Sequence, residues 1–187
     1  MEVAYLGPEG TFTQQAALKH FGQWVKTKPM PAIDEVFREV EAGACNYGVV
    51  PVENSSEGIV NHTLDTFITS NIKICGEVEL RIHHHLLAGP NTKHDKISRI
   101  YSHQQSLAQC RKWLDAHMPH AERIAVSSNA EAAKRVQGEW NSAAIAGELA
   151  ASLYDLEIVQ SKIEDSPDHS TRFLIIGTEQ VGPSSED

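Results

Sequence analysis

The chain has 187 residues, 41% of them hydrophobic and 22% charged, with a formal net charge of −9. That length suits one ordinary domain or two small lobes with real cores. The acidic balance, with no basic stripe interleaved with aromatics, argues against nucleic acid as a partner but leaves room for a small anion in a locally positive site. No apolar run approaches the roughly 18 residues that span a bilayer, and Met1-Glu2-Val3-Ala4-Tyr5 lacks the basic and then apolar pattern of a secretory leader. The three cysteines, Cys45, Cys75 and Cys110, are far apart and form no Cys-x-x-Cys pair. They read as free thiols in a reducing compartment, so a cytoplasmic location is expected.

Short apolar runs alternate with helix-period segments. Residues 3–6 read as a strand and 12–21 as a helix, entered through Gly7-Pro8-Glu9-Gly10-Thr11. Ile33, Val36, Phe37 and Val40 repeat at i, i+3, i+4 and i+7, the pattern of an amphipathic helix. Asp34 and Glu35 suit the dipole of its first turn, and Gly43 suits its stop. Residues 47–52 read as a buried strand, 59–68 as a helix, and 72–80, 82–88 and 97–101 as strands. The next helix carries Leu107, Cys110 and Leu114 on one face. A strand at 124–126, a helix at 129–137, a strand at 143–146 and a helix at 148–153 follow, with final strands at 156–163 and 173–176. This rhythm predicts an α/β protein with largely parallel sheets. The polar tail, 178–187, contains Gly182-Pro183-Ser184-Ser185 and reads as disordered.

Ligands of open α/β sheets bind at the carboxyl ends of strands, and four polar segments stand there. Gly7-Pro8-Glu9-Gly10-Thr11-Phe12-Thr13 joins a strand to a helix N-terminus, where glycines let backbone approach an anion and Thr11 or Thr13 can cap. Glu53-Asn54-Ser55-Ser56-Glu57 follows the strand at 47–52 and offers amide and hydroxyl donors, which can hold a carboxylate without a buried cation. Ser102-His103-Gln104-Gln105 follows the strand at 97–101, with Gln109 on the same helix face as Gln105. His103 has the chemistry of a general acid or base. Asp168-His169-Ser170-Thr171-Arg172 leads into the last strand. On local pattern alone each segment is equally a turn or a helix cap. His83-His84-His85 looks like a metal tract, but in a strand only His83 and His85 share a face, and no nearby cysteine or carboxylate completes a ligand set. Ser102-His103 lacks the Gly-x-Ser-x-Gly elbow of a serine hydrolase.

Taken together and in order, six blocks resemble prephenate dehydratases over residues 3 to about 177. They are Tyr5-Leu6-Gly7-Pro8-Glu9-Gly10-Thr11-Phe12-Thr13; Val50-Pro51-Val52-Glu53-Asn54-Ser55; Gly58-Ile59-Val60 with Thr63-Leu64-Asp65; Ser102-His103 through Gln109-Cys110; Ala143-Ala144-Ile145-Ala146; and Thr171-Arg172-Phe173. The sequence departs from the family at Gln104, where proline is usual, and at His169-Ser170, where asparagine or threonine usually precedes the triplet. The resemblance implies a two-lobed fold similar to type 2 periplasmic binding proteins, with the ligand cleft between lobes. Residues 1–80 and 165–177 would form lobe one, and 81–164 lobe two.

The implied reaction is the conversion of prephenate to phenylpyruvate, water and carbon dioxide, with prephenate as the small-molecule partner. No redox step occurs, so the resemblance implies no cofactor and no metal. It makes Thr171 the leading catalytic residue, as a positioned donor to the departing hydroxyl. Thr11, Asn54, Ser55, Ser102, Gln105, Gln109, Arg172 and Phe173 become candidates for substrate binding, with Glu53 and His103 in support. Alternatives are a dehydratase acting on arogenate and a two-lobed small-anion-binding domain without catalysis. Many relatives carry an ACT domain that binds phenylalanine, or a chorismate mutase. Neither is in this stretch, so no phenylalanine feedback is expected of it alone. Dimers are common in the family, but the regulatory domain that often helps form them is not in this stretch, so the resemblance leaves the oligomeric state open, with a homodimer as one outcome.

Overall fold

The computed structural model describes residues 1–55 and 58–178. In chain order the elements are β1 (Glu2–Leu6), α1 (Phe12–Phe21), β2 (Lys26–Met30), α2 (Ile33–Glu41), β3 (Tyr47–Asn54), β4 (Gly58–Ile59), α3 (Asn61–Thr69) and β5 (Lys73–Arg81). They continue with β6 (His85–Ala88), β7 (Arg99–Ser102), α4 (Gln104–Gln109), α5 (Arg111–His117), β8 (Glu122–Ala125), α6 (Asn129–Val136), β9 (Ser142–Ala146), α7 (Glu148–Leu153), β10 (Glu157–Gln160) and β11 (Ser170–Gly177). Ser56, Glu57 and the tail from residue 179 onward lie outside the described residues.

The chain divides into two compact α/β units. Unit 1 comprises Met1–Gly7, Phe12–Arg81 and the chain from Ser170 onward, and unit 2 comprises Pro8–Thr11 and Ile82–His169. The main divisions therefore fall at 81/82 and 169/170, and residues 8–11 group with unit 2 although their flanking strand and helix belong to unit 1. Residues 165–169, expected in lobe one, join unit 2 because they bond there. Asp165 N–H donates to the Gln109 carbonyl at 2.8 Å, and the His169 carbonyl accepts from Ile82 N–H at 2.9 Å.

Unit 1 is built on a six-stranded sheet ordered β2-β1-β3-β11-β5, with β4 paired to β3. β1 runs parallel to β2 and β3, but β11 lies antiparallel between β3 and β5. In unit 2 the order is β10-β6-β9-β7-β8. Here β7 is parallel to β8 and β9, while β6 is antiparallel to β9 and β10. The expectation of largely parallel sheets is thus corrected. The alternation of strand and helix reveals crossovers, but not that β11 in unit 1 and β6 in unit 2 run against their sheet neighbours.

Apolar spacing sets the packing. Ile33, Val36, Phe37 and Val40 form the buried stripe of α2 and pack on Ala4, Val50, Val52, Leu174 and Ile176. The Phe37 ring meets Phe67 of α3 edge-on at 4.9 Å. In unit 2, alternate strand residues face opposite layers, as the twofold period of a strand requires. Leu87, Tyr101, Ala144 and Ala146 pack with Ala132, Val136 and Ala150 on one face, whereas Leu86, Ile100, Ala143 and Ile145 pack with Cys110, Leu114 and Ile163 on the other.

Several expected elements change. β2 was not expected, because Lys-Thr-Lys-Pro-Met is polar and contains Pro29. It is an edge strand, where lysine and proline are tolerated and discourage further pairing. Residues 82–84 are not strand, and pairing starts at His85. The strand expected at 156–163 shortens to β10. The helix after β7 breaks at Cys110 (φ −111°, ψ 10°), yet Cys110 and Leu114 still share a buried cluster with Leu107 beside it. The break is stabilised from a distance: the Asp165 carboxylate accepts from the N–H groups of Lys112 (3.0 Å) and Trp113 (3.2 Å) in the first turn of α5, donors that have no partner within the helix. Among the described residues no helix is long and apolar enough to cross a membrane.

Gly48 of β3 lies beneath α2. A Cβ there would stand 2.8 Å from Val36 Cγ1 and 2.9 Å from Ile176 Cγ1, both on stiff, buried, β-branched side chains. Gly48→Ala is expected to lower stability by about 1–3 kcal/mol through overpacking. Urea denaturation would read this as a lower midpoint, and an unchanged midpoint would show that α2 shifts without cost.

Candidate active site

In unit 1 the candidate residues gather where β11 begins. Thr171 lies opposite Asn54 of β3 on one side and Leu80 of β5 on the other. The register then slips, since Arg172 pairs with Glu53 but Phe173 with Pro51. Val52 is the extra residue, and its carbonyl accepts instead from Val60 N–H at 2.8 Å. Bulges of this kind re-aim side chains beside functional sites. The Thr171 side chain is half-buried, and its hydroxyl has no hydrogen bond to another described residue.

Its neighbours are committed. Ser55 donates its N–H to the Ser170 carbonyl at 3.0 Å, and Ser55 Oγ accepts from Ser170 N–H at 2.9 Å. Ser55 thus clamps the start of β11 to the end of β3. Arg172 reaches Glu53 Oε2 at 3.3 Å through Nη2 and Glu77 Oε1 at 3.4 Å through Nε. One guanidinium between two carboxylates leaves no surplus positive charge, and Arg172 stands at the centre of a surface ion triad with Glu53 and Glu77. Phe173 is 1% exposed and belongs to the interior of the structure.

Unit 2 carries the rest. Ser102 is fully buried, and its hydroxyl lies 2.7 Å from Asn129 Oδ1 and 2.9 Å from the Ile145 carbonyl. It thus ties the end of β7 to Asn129 and to β9. Asn129 Oδ1 also accepts from His103 N–H at 2.9 Å, and its Nδ2 donates to Ser106 Oγ at 2.8 Å. The sequence suggested Asn129 only as a helix start. In fact it ties α6 to the whole turn after β7. His103 caps α4, its Nδ1 accepting from Gln105 N–H at 3.2 Å. A cap of this kind needs an unprotonated Nδ1, so the neutral ring carries its proton on Nε2. Gln105 is half-buried beside it.

The histidine tract has partners that local sequence did not supply. His83 Nδ1 lies 2.6 Å from Glu164 Oε1, and His84 N–H donates to Glu164 Oε2 at 3.1 Å. His84 Nε2 lies 2.8 Å from Gln109 Oε1. His85 Nδ1 accepts from Lys162 N–H at 3.0 Å. A carboxylate therefore does reach the tract, but across 81 residues of sequence. Among the described residues no cluster of three or more His, Cys, Asp or Glu side chains is arranged to hold a metal.

Thr11 ends the short segment that joins unit 2. There Tyr154 donates its hydroxyl to the Glu9 carbonyl at 2.9 Å. Gly10 has φ +91°, and a Cβ on it would meet Tyr154 Cε2 at 3.2 Å, so both conformation and space favour glycine. Thr11 is half-buried just before α1.

The family profile for prephenate dehydratase matches residues 3–181. The chain belongs to the prephenate dehydratase family. It is 72% identical, over its full length, to the bifunctional chorismate mutase/prephenate dehydratase of Pseudomonas aeruginosa, of which it covers 51%. It is 38% identical to the prephenate dehydratase of Bacillus subtilis, over 96% of this chain and 65% of that one. The crystal structure of an Arthrobacter aurescens prephenate dehydratase in complex with L-Phe superposes with a TM-score of 0.90 at 32% identity, covering 98% of this chain and 62% of that one. The chain thus spans about half the length of the bifunctional relatives it matches.

Electrostatics in unit 2 of this prephenate dehydratase-family chain favour a neutral histidine pair beside a charged carboxylate. Burial lowers the pKa of His84, against the opposing pull of the Gln109 hydrogen bond and the Glu164 charge. Burial also lowers that of His85, whose Nδ1 must stay unprotonated to accept from Lys162. For Glu164 burial pushes upward, but hydrogen bonds from His83 and from backbone N–H groups prevail and hold it below the usual 4.5. In each case the unfolded chain binds more protons between the depressed value and the ordinary one, so stability rises with pH across that interval and is lost as pH falls. The loss starts as pH drops through 6.5 for the histidines and resumes through 4.5 for Glu164. The thermal midpoint is therefore expected to be lower at pH 5.5 than at pH 7.5, and a His84→Gln/His85→Gln double variant should show a shallower fall. An identical slope in the two proteins would remove these histidines as the cause.

Proposed function

We propose that this domain catalyses the decarboxylating dehydration of prephenate to phenylpyruvate. In that reaction the bond from the ring to its carboxylate breaks, its electron pair enters the ring, and the ring hydroxyl leaves from the opposite position. Aromatisation supplies the driving force. The catalyst has to stabilise charge on the departing oxygen and hold the carboxylate in line for loss as carbon dioxide. Family membership supports the assignment. The observation that carries it is the Thr171 hydroxyl, which is uncommitted among the described residues while the other hydroxyls around it, such as those of Ser55 and Thr63, serve the backbone.

Thr171 acts as the donor to the departing hydroxyl. A threonine alcohol is a weak acid, so its contribution is a preorganised hydrogen bond on developing negative charge, with the final proton reaching the leaving group to form water. Asn54, facing it across the β11–β3 pair, orients the same end of the substrate. Thr11, Gln105 and Gln109 supply neutral donors for the carboxylates. Neutral donors suit the chain, because Arg172 is already neutralised by Glu53 and Glu77.

Thr171→Ala is expected to fold normally and to lower kcat for phenylpyruvate formation from prephenate at least about 100-fold, the scale of losing one preorganised donor. Thr171→Ser, which keeps the hydroxyl, should retain most of the activity. Turnover of the alanine variant within a few-fold of wild type would remove Thr171 from the mechanism.

A further inference from the structure

We infer that Ser55 is a positioning residue for Thr171: its hydroxyl takes over a rung of the β3–β11 ladder beside Thr171 and so fixes the backbone from which the threonine hydroxyl projects. The consequence for turnover rests on the proposed role of Thr171. The geometry does not, and all of it lies within unit 1.

In a regular antiparallel ladder the two residues of a hydrogen-bonded pair exchange both N–H···O=C bonds. Ser55 and Ser170 keep one of these, in which Ser55 N–H donates to the Ser170 carbonyl at 3.0 Å. In the other, Ser55 Oγ stands in for the Ser55 carbonyl and accepts from Ser170 N–H at 2.9 Å. β3 ends at Asn54. The chain therefore leaves the sheet at Ser55, while the side chain keeps the pairing that the backbone gives up.

Thr171 is the next residue of β11, opposite Asn54, and the ladder slips beyond it between Arg172 and Phe173. The slip is itself held. Val60 N–H donates to the Val52 carbonyl at 2.8 Å, and the fully buried Thr63 donates its hydroxyl to the Pro51 carbonyl at 2.6 Å. Along the β3 side, Thr171 and Arg172 alone lie between this anchored bulge and the Ser55 clamp. A β-branched side chain has a restricted χ1, so the direction of the Thr171 hydroxyl follows its backbone. Ser55 is exposed, so removing its hydroxyl opens no cavity in the core.

Steady-state kinetics of the intact chain with prephenate test the consequence. Ser55→Ala is expected to fold and to lower kcat by about 10-fold to 100-fold, the scale of misplacing a reacting group, with KM close to that of wild type. Ser55→Thr, which keeps the hydroxyl, should recover most of kcat. In a Thr171→Ala background Ser55→Ala should cost nothing more. An unchanged kcat, whether or not KM rises, or losses that multiply in the double variant, would overturn the proposal. Nitrogen-15 NMR reads the positioning without turnover. In Ser55→Ala the Ser170 amide should exchange with solvent about 2-fold to 10-fold faster, as the loss of one hydrogen bond implies, and the order parameter of the Thr171 amide should fall. An unmoved Thr171 order parameter would overturn the proposal as well. If wild type fails to consume prephenate, the proposed function falls, while the Thr171 amide still decides whether Ser55 positions it.

Discussion

The antiparallel insertion of β11 between β3 and β5 constrains most of unit 1. It is the last strand in sequence, yet it lies in the interior of the sheet and pairs on both sides. Everything notable about Thr171-Arg172-Phe173 follows from that placement and from the twofold period of a strand. Thr171 and Phe173 share one face, so burying the phenylalanine carries the threonine to the rim of the same face. Arg172 is turned to the other face and meets Glu53 from one neighbouring strand and Glu77 from the other. The bulge at Val52 then adjusts where the first residues of β11 sit against Glu53 and Asn54.

Unit 2 uses a comparable device without a central late strand. The segment 162–169 folds back along His83, His84 and His85, and the buried side chains there satisfy backbone groups that no ladder reaches. Asp165 serves two N–H groups of α5, Glu164 serves His84, and Asn129 serves His103. Glu164 and Asn129 are polar side chains taken largely out of water, which is tolerated only when they are hydrogen-bonded, whereas Asp165 makes its bonds from an exposed position. The result divides polar residues near the strand ends into two populations. Ser55, Ser102, Asn129 and Glu164 hold loops in shape. Thr171 and Gln105 have side chains without such duties among the described residues.

This division explains what the sequence could and could not reveal. The α2 stripe was legible because its information is local: four apolar residues at helical spacing decide which face is buried. The limits of α1 and α7 were legible for the same reason. β2 was not, since an edge strand need not be apolar. The mixed direction of the sheets was not, because direction depends on where a returning strand inserts, and β11 pairs with residues 89 or more positions earlier. The bonding partners of Ser102, Ser55 and Arg172 were not legible for a related reason. A hydroxyl or guanidinium at a strand end looks available until its partner is known, and those partners stand 27, 115 and 119 residues away. The same holds for the histidine tract, dismissed for want of a local carboxylate that Glu164 then supplies.

The charge pattern carries the argument one step further. A chain of net charge −9 that took up the dianion of the proposed reaction would face long-range repulsion, and a buried arginine would be the direct remedy. Here the arginine of the triplet is exposed and already flanked by two carboxylates. Neutral amides and hydroxyls have a compensating advantage, because they need no counter-ion when the site is empty and lose less solvation when a ligand enters. Their weakness is that an amide presents a donor on one branch and an acceptor on the other, so an unrestrained glutamine repels a carboxylate half the time. Restraining the acceptor branch removes that ambiguity. In this chain the side-chain oxygen of Gln109 lies 2.8 Å from Nε2 of the buried His84, a restraint from a ring whose burial disfavours the charged form, and a lysine or arginine in that place would have to be desolvated at far greater cost.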